Sequence, residues 1–338
     1  MRKSMLFLCL CCLLISAAAA FAGPKSGTVT YKLDLNAAQN AKTAVVYLPY
    51  PMSDQNQDIS NVSVSGNFSS QGVYTDPKSG STYLKAAWDK ISGKPQLTFS
   101  FHVDSHYKKG ETLKNAGNAL PVDVKPYLLG NDYLPVDHPK IKDIVKEAVK
   151  GKKDILGKAR AIYEWTIANT HRDNNVKGCG LGRAIQVLTE ANGGGKCADI
   201  SSVFITVARA AGVPARDVFG LRTSGSKEDI TGDFHCWAEF YLPNRGWVMV
   251  DPADVRKAML NEKLELKDAA TKKHTEFFWN GDDLFRIALN RSEHGVVFPG
   301  MKGEPVGYFM YPYAEIDGRP LDYFAPKDFA FTVSLKAD

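Results

Sequence analysis

Residues 193–204 read GGGKCADISSVF: three glycines and a lysine lead through a lone cysteine into an apolar pattern. Ile200, Val203, Phe204, Val207, Ala208 and Ala211 fall at the i, i+3, i+4, i+7 spacing that lines one face of a helix. Gly212 and Pro214 then supply the glycine-then-proline stop of a helix C-terminus. This is the clearest helix in the chain, and Cys197 lies at its very start. Four roles are open to such a thiol: nucleophile, metal ligand, half of a disulfide, or small core residue.

The chain opens on a targeting pattern. Arg2 and Lys3 precede a short apolar run from Met5 to Ile15, and Ala20-Phe21-Ala22 forms an A-x-A cleavage site before Gly23. A cut after Ala22 implies an exported protein, secreted or periplasmic. The run is too short for a comfortable membrane span, and no later segment reaches one, so stable membrane insertion is not expected. Losing Arg2 and Lys3 takes the formal charge from +5 to +3, too mild a balance to argue for nucleic acid. Of six cysteines only Cys179, Cys197 and Cys236 lie beyond the leader, so at most one bridge forms and one thiol is left over.

Beyond the leader (1–22), residues 23–115 read as a β-sandwich. Period-two runs such as Thr28–Leu35, Ala44–Leu48 and Leu97–Val103 are separated by turn clusters such as Asp76-Pro77-Lys78-Ser79-Gly80. Residues 116–140 form a proline-marked connector. Helical periodicity follows, with Ile141, Ile144, Val145 and Ala148 on one stripe. Asp154 then caps a second helix carrying Ala159, Ile162, Tyr163 and Thr166, and a third short helix fits Ala184, Val187, Leu188 and Ala191. Strand-like runs come next, at His235–Tyr241 and Trp247–Val250. Residues 141–275 are expected to form the chemical core, and the strand-rich tail, 276–338, to pack on it.

A thiol attacks as its thiolate, and a helix N-terminus with a basic partner lowers a cysteine pKa from ~8.5 to roughly 3.5–7.5. Gly193 to Gly195 would let backbone approach a substrate closely, and the Cys197 N–H could donate to an oxyanion. His235 opens a strand about forty residues downstream, and Asp251 follows at the end of the next strand, before Pro252. A nucleophile, a base and an orienting carboxylate in these places make a triad. Strand parity tests it. Asp251 shares the His235 face only if facing residues have numbers summing to 488, which requires an odd-length loop or a bulge around Leu242–Gly246. A sum of 489 would point it away.

Gly195-Lys196-Cys197, His235-Cys236-Trp237-Ala238-Glu239-Phe240 and Gly246-Trp247-Val248-Met249-Val250-Asp251-Pro252 together resemble the transglutaminase-like cysteine enzyme superfamily, most closely its bacterial secreted branch. The resemblance covers residues 140 to 255. It implies an α+β fold with a papain-like core, a helix-start cysteine packed on an antiparallel sheet, preceded by the β-sandwich. It further implies acyl transfer through a cysteine thioester, with Cys197 as nucleophile, His235 as general base and acid, and Asp251 as orienting carboxylate. The calcium sites of animal transglutaminases have no recognisable counterpart, so no metal or cofactor is carried over.

Three other readings compete with this one. Cys179, Cys197, Cys236 and His235 make a nominal zinc set, but neighbours on a strand point to opposite faces, which keeps His235 and Cys236 from one ion. Cys236 reads as a residue buried under the sheet, with a bridge to Cys179 as an alternative fate. A non-catalytic secreted scaffold is the other class, and the intact triad argues against it. Among enzymes, a protein or peptide substrate is expected. Hydrolysis of peptide or amide bonds is favoured over amine cross-linking, because no feature marks an amine tunnel. Trp237 and Glu239 share the His235 face and read as strand packing and a solvated edge.

Overall fold

The computed structural model describes residues 26–37, 40–106, 112–223, 227–280 and 286–338. The leader and its cleavage site therefore lie outside the described residues. Six strands come first: β1 (Ser26–Leu35), β2 (Ala44–Pro49), β3 (Gln57–Gly66), β4 (Ser70–Thr75), β5 (Thr82–Trp88) and β6 (Gln96–Ser105). A 3₁₀ turn at Val122–Leu128 lies in the connector. Then follow α1 (Pro139–Ala148), α2 (Ile155–Asn169), β7 (His171–Arg172), α3 (Ala184–Thr189), β8 (Gly194–Gly195), α4 (Cys197–Ala210), β9 (Ala215–Arg222), β10 (Phe234–Leu242) and β11 (Gly246–Val250). The chain ends with α5 (Pro252–Glu262), α6 (Ala269–Phe277), β12 (Arg286–Asn290), β13 (Tyr313–Ile316), β14 (Arg319–Pro320) and β15 (Phe329–Ala337).

The sandwich forms as the period-two pattern requires. Along β1, Val29, Tyr31, Leu33 and Leu35 are buried while the residues between them are more open. They share one apolar cluster with Phe99 and Phe101 of β6 and with Leu48, Leu84 and Trp88 of the facing sheet. The tail divides. Strand β12 completes the core sheet, in the order β11-β10-β9-β12. Strand β15 instead pairs antiparallel with β1, and β13 with β2, so the chain end closes both sheets of the sandwich. These pairings join residues between 266 and 310 positions apart, a distance over which local patterning carries no pairing information.

Helix α4 is the hub of the core. Phe204, Val207 and Ala208 pack with Ile162 and Tyr163 of α2 and with Ala238, Phe240, Val248 and Val250 of the sheet. The helix is covered on its polar side too. Ser202 and Thr206 are fully buried, and each donates its hydroxyl back to its own helix, to Asp199 O at 2.7 Å and Ser202 O at 2.6 Å. Burying them therefore strands no donor. The expected cap of α2 is present, Asp154 accepting the Gly157 N–H at 2.8 Å. Two helices were not read from the sequence: after Asp251, Pro252 starts α5 rather than a turn, and α6 follows it.

Candidate active site

Local geometry brings Cys197 to the first turn of α4, and Asp199 fixes how it is presented. The Asp199 carboxylate accepts the Lys196 N–H at 3.1 Å, closing the helix start. The same group accepts the Leu181 N–H at 2.8 Å and the Gly182 N–H at 3.0 Å, tying loop 178–182 to helix α4. Gly178, Gly180 and Gly182 all have positive φ, and a Cβ on Gly180 would collide with that carboxylate. Burial outweighs these donors and raises the Asp199 pKa. Neither Asp199 nor its loop was singled out from the sequence, although its place three residues after Lys196 fits a capping pattern.

The three glycines before Cys197 do something other than expected. All are buried. A Cβ on Gly193 would lie 2.5 Å from the Asn169 carbonyl oxygen, and one on Gly195 would meet the Asp199 side chain. Gly194 and Gly195 form β8, which pairs in parallel with β7. They allow close packing of the protein on itself, not an opening for substrate.

Strands β10 and β11 place the other two residues. Ala238 faces Val250 and Leu242 faces Gly246, so facing numbers sum to 488 across a three-residue loop. Asn244 and Gly246 take positive φ there, as a three-residue hairpin with a bulge requires. Asp251 thus lands on the His235 face. Its Oδ2 receives His235 Nε2 at 2.7 Å, while its Oδ1 caps α5 by accepting the Asp254 N–H at 2.9 Å. Asp251 is 1% exposed and Cys197 4%. The remaining imidazole nitrogen, Nδ1, is not used by Asp251, and His235 and Cys197 each shift the other toward its charged form.

Two further groups complete the electrostatics. Asp254 Oδ2 lies 3.5 Å from His235 Nε2. The buried Arg286 donates from Nη1 to Asp251 at 2.7 Å and from Nη2 to Asp254 at 3.2 Å, holding both carboxylates in place. Burial opposes a charge on His235, but Asp254 and Asp251 prevail and hold its pKa at about 9. Burial likewise resists ionisation of Asp251, yet His235 and Arg286 bring it down to about 2. Cys197 is pushed well below an ordinary thiol by hydrogen bonds from Cys179 and Cys236, and then by His235. Both shifts favour a charged Cys197–His235 pair, and Cys197 is the one of the three cysteines that starts helix α4.

Glu239, on the His235 face of β10, is not a solvated edge. It is fully buried, salt-bridged to Arg216 at 2.8 Å and Arg291 at 3.5 Å, and those charges overcome burial to lower its pKa. Trp237 is packing, as read, with the Arg286 guanidinium over its ring. The three cysteines are free thiols, so the Cys179–Cys236 bridge is not formed. A cavity of about 390 Å³ borders the loop after Cys179, lined by Lys177, Gly180, Arg183, Tyr308, Tyr323 and Phe324 among others.

Residues 142–252, which hold Cys197, His235 and Asp251, match the model of the Transglutaminase-like superfamily. An uncharacterized protein of Haemophilus influenzae is 32% identical over 333 residues, covering 90% of this chain and 89% of its own length. The chain belongs to the transglutaminase-like superfamily. A second relative, the uncharacterized protein YebA of Bacillus subtilis, is 31% identical over 132 residues, 35% of this chain and 16% of that protein. The fold is shared with the crystal structure of a candidate cysteine protease from Cytophaga hutchinsonii, at a TM-score of 0.53 and 14% identity, covering 94% of this chain and 99% of that one. Together these bear out the α+β, papain/transglutaminase-like core preceded by a strand-rich region. Among the described residues no helix is long and apolar enough to cross a membrane.

Proposed function

We propose that this member of the superfamily is an exported acyl-transfer enzyme that cleaves peptide or amide bonds through a thioester on Cys197. The observation that carries the reading is His235 held by Asp251 at 2.7 Å while its charge and that of Cys197, at the start of α4, favour each other. In the forward step the thiolate adds to the substrate carbonyl, and the Cys197 N–H at the α4 N-terminus donates to the oxygen as it gains charge. His235, already protonated, gives its proton to the leaving amine as the C–N bond breaks. Neutral His235 then takes a proton from water, the hydroxide attacks the thioester, and the Cys197 thiolate leaves with the imidazolium restored. Asp251 and Arg286 keep the ring oriented throughout.

Hydrolysis is preferred over amine transfer. The cavity beside loop 178–182 mixes charged groups (Lys177, Arg183, Asp322) with aromatic ones (Tyr308, Tyr323, Phe324), and no sequence feature marks a water-excluding tunnel for an amine acceptor. The protein or peptide class of substrate follows from the same reading. The test is to incubate the mature protein with peptide libraries, with and without added primary amines, and weigh the products. Gain of water across an amide bond supports hydrolysis. Amine adducts that dominate at modest amine concentration would replace it by cross-linking, and no Cys197-dependent product would leave the scaffold reading.

A further inference from the structure

Outside the leader the chain has three cysteines, separated by 18 and 39 residues and carried on three different elements. All three converge. The Sγ atoms of Cys179, Cys197 and Cys236 lie within 4.8 Å of one another, with the residues 5%, 4% and 0% exposed. The triad uses one of these thiols. The surroundings of the other two are apolar and aromatic: Cys179 is within 3.6 Å of the Tyr311 hydroxyl, and all three belong to the apolar cluster that includes Phe219, Phe234 and Tyr308.

The spacing separates two chemistries. A disulfide needs two sulfurs at about 2.0 Å and leaves the third thiol out, and all three cysteines are free. Three thiolates bound to one soft ion, with metal–sulfur bonds of about 2.3 Å, need sulfurs roughly 4 Å apart, a shift of less than about 1 Å here. The imidazole of His235 groups instead with Asp251 and Asp254. A tetrahedral fourth ligand is thus not supplied by the strand neighbour, as strand alternation requires. That disfavours zinc and favours an ion content with sulfur alone.

We propose that Cys179, Cys197 and Cys236 form a three-thiolate site for a soft monovalent ion of the copper(I) class, whose binding occupies the nucleophile. Binding forms three metal–sulfur bonds and releases the protons held on Cys179 and Cys236, with no change of oxidation state. The site rests on geometry and does not require that Cys197 perform acyl transfer, so its test is independent of any substrate. The probe is copper(I) held by a chromophoric chelator, titrated anaerobically into the reduced mature protein.

The expected result is one equivalent withdrawn from the chelator, sulfur-only coordination by three atoms in X-ray absorption, and protection of Cys197 from iodoacetamide. Cys236→Ser and Cys179→Ser, each checked for native circular dichroism, should weaken binding by more than the roughly 10–100-fold that losing a supporting partner costs. Binding of unchanged affinity in both variants would overturn the site, as would two-coordinate or nitrogen-containing coordination. Failure of copper(I) to bind at all would also overturn it, while leaving the acyl-transfer assays to judge the enzyme reading separately.

Discussion

Replacing Asp251 by Asn removes one of the two carboxylates that keep His235 protonated, while leaving an oxygen able to accept its Nε2–H. In the native site His235 titrates at about 9 against an ordinary 6.5. That difference corresponds to about 3 kcal/mol in favour of the imidazolium, at 1.36 kcal/mol per unit. Asp254 acts alongside Asp251 from 3.5 Å, against 2.7 Å for Asp251 itself. Losing Asp251 should therefore forfeit about half, roughly 1–2 kcal/mol or about one pKa unit. The loss falls on the thiolate–imidazolium pair. Its alkaline limit moves down from about 9 by about one unit, and its acid limit, set by Cys197, moves up. Iodoacetamide reads the acid limit without knowledge of the substrate, because only the thiolate reacts. Alkylation of the Cys197 peptide, followed by mass across the pH range for native and Asp251→Asn protein, should show that limit shifted upward in the variant. A variant whose acid limit stays where the native one is would refute the claim that Asp251 holds the pair together.

Stability against pH offers a second check, with signs that oppose. His235 is raised, so its stabilisation is complete below 6.5 and fades as pH rises through about 9, whereas Cys197 is lowered from 9.0 and its stabilisation grows over the same window. The native protein should be nearly flat there, and Cys197→Ala should lose about 2–3 kcal/mol between 6.5 and 9 by urea unfolding; a flat variant would argue against the pair. Arg209 is 4% exposed and donates to the carbonyls of Ala215 and Leu129 and to Glu293, so Arg209→Met should cost about 3–5 kcal/mol by urea unfolding. Phe204→Ala, opening a cavity in the middle of α4's packing, should cost about 3–5 kcal/mol in the same assay.

The catalytic face was legible because its signals are local or set by parity. The Cys197 helix announces itself in the period of Ile200 to Ala211, and the 488 register follows from whether the loop at Pro243–Arg245 holds an odd number of residues. Asp154 was readable as a cap for the same reason. What escaped was tertiary. Arg286 reaches Asp251 and Asp254 from a strand 35 and 32 residues away, with no motif around it. Cys179 meets Cys197 and Cys236 only once its loop, 178–182, is pinned by Asp199. Helix α5 presents just Val255 and Met259 as an apolar stripe amid Arg256, Lys257, Asn261 and Glu262, too faint beside the strand that precedes it. The sandwich strands were visible as strands, but the partnering of β15 with β1 could not be, since period two says which face is buried and not which edge is met.

The central claim is that Cys197 carries the acyl group. Reaction with an activated peptide ester, quenched in acid within the first turnover, followed by intact mass and peptide mapping, tests it directly. The account predicts one acyl group per chain, on Cys197 and released by hydroxylamine as a thioester is, and strongly diminished in His235→Ala. An acyl group found on Cys179 or Cys236, or none on any cysteine while substrate is turned over, would contradict it.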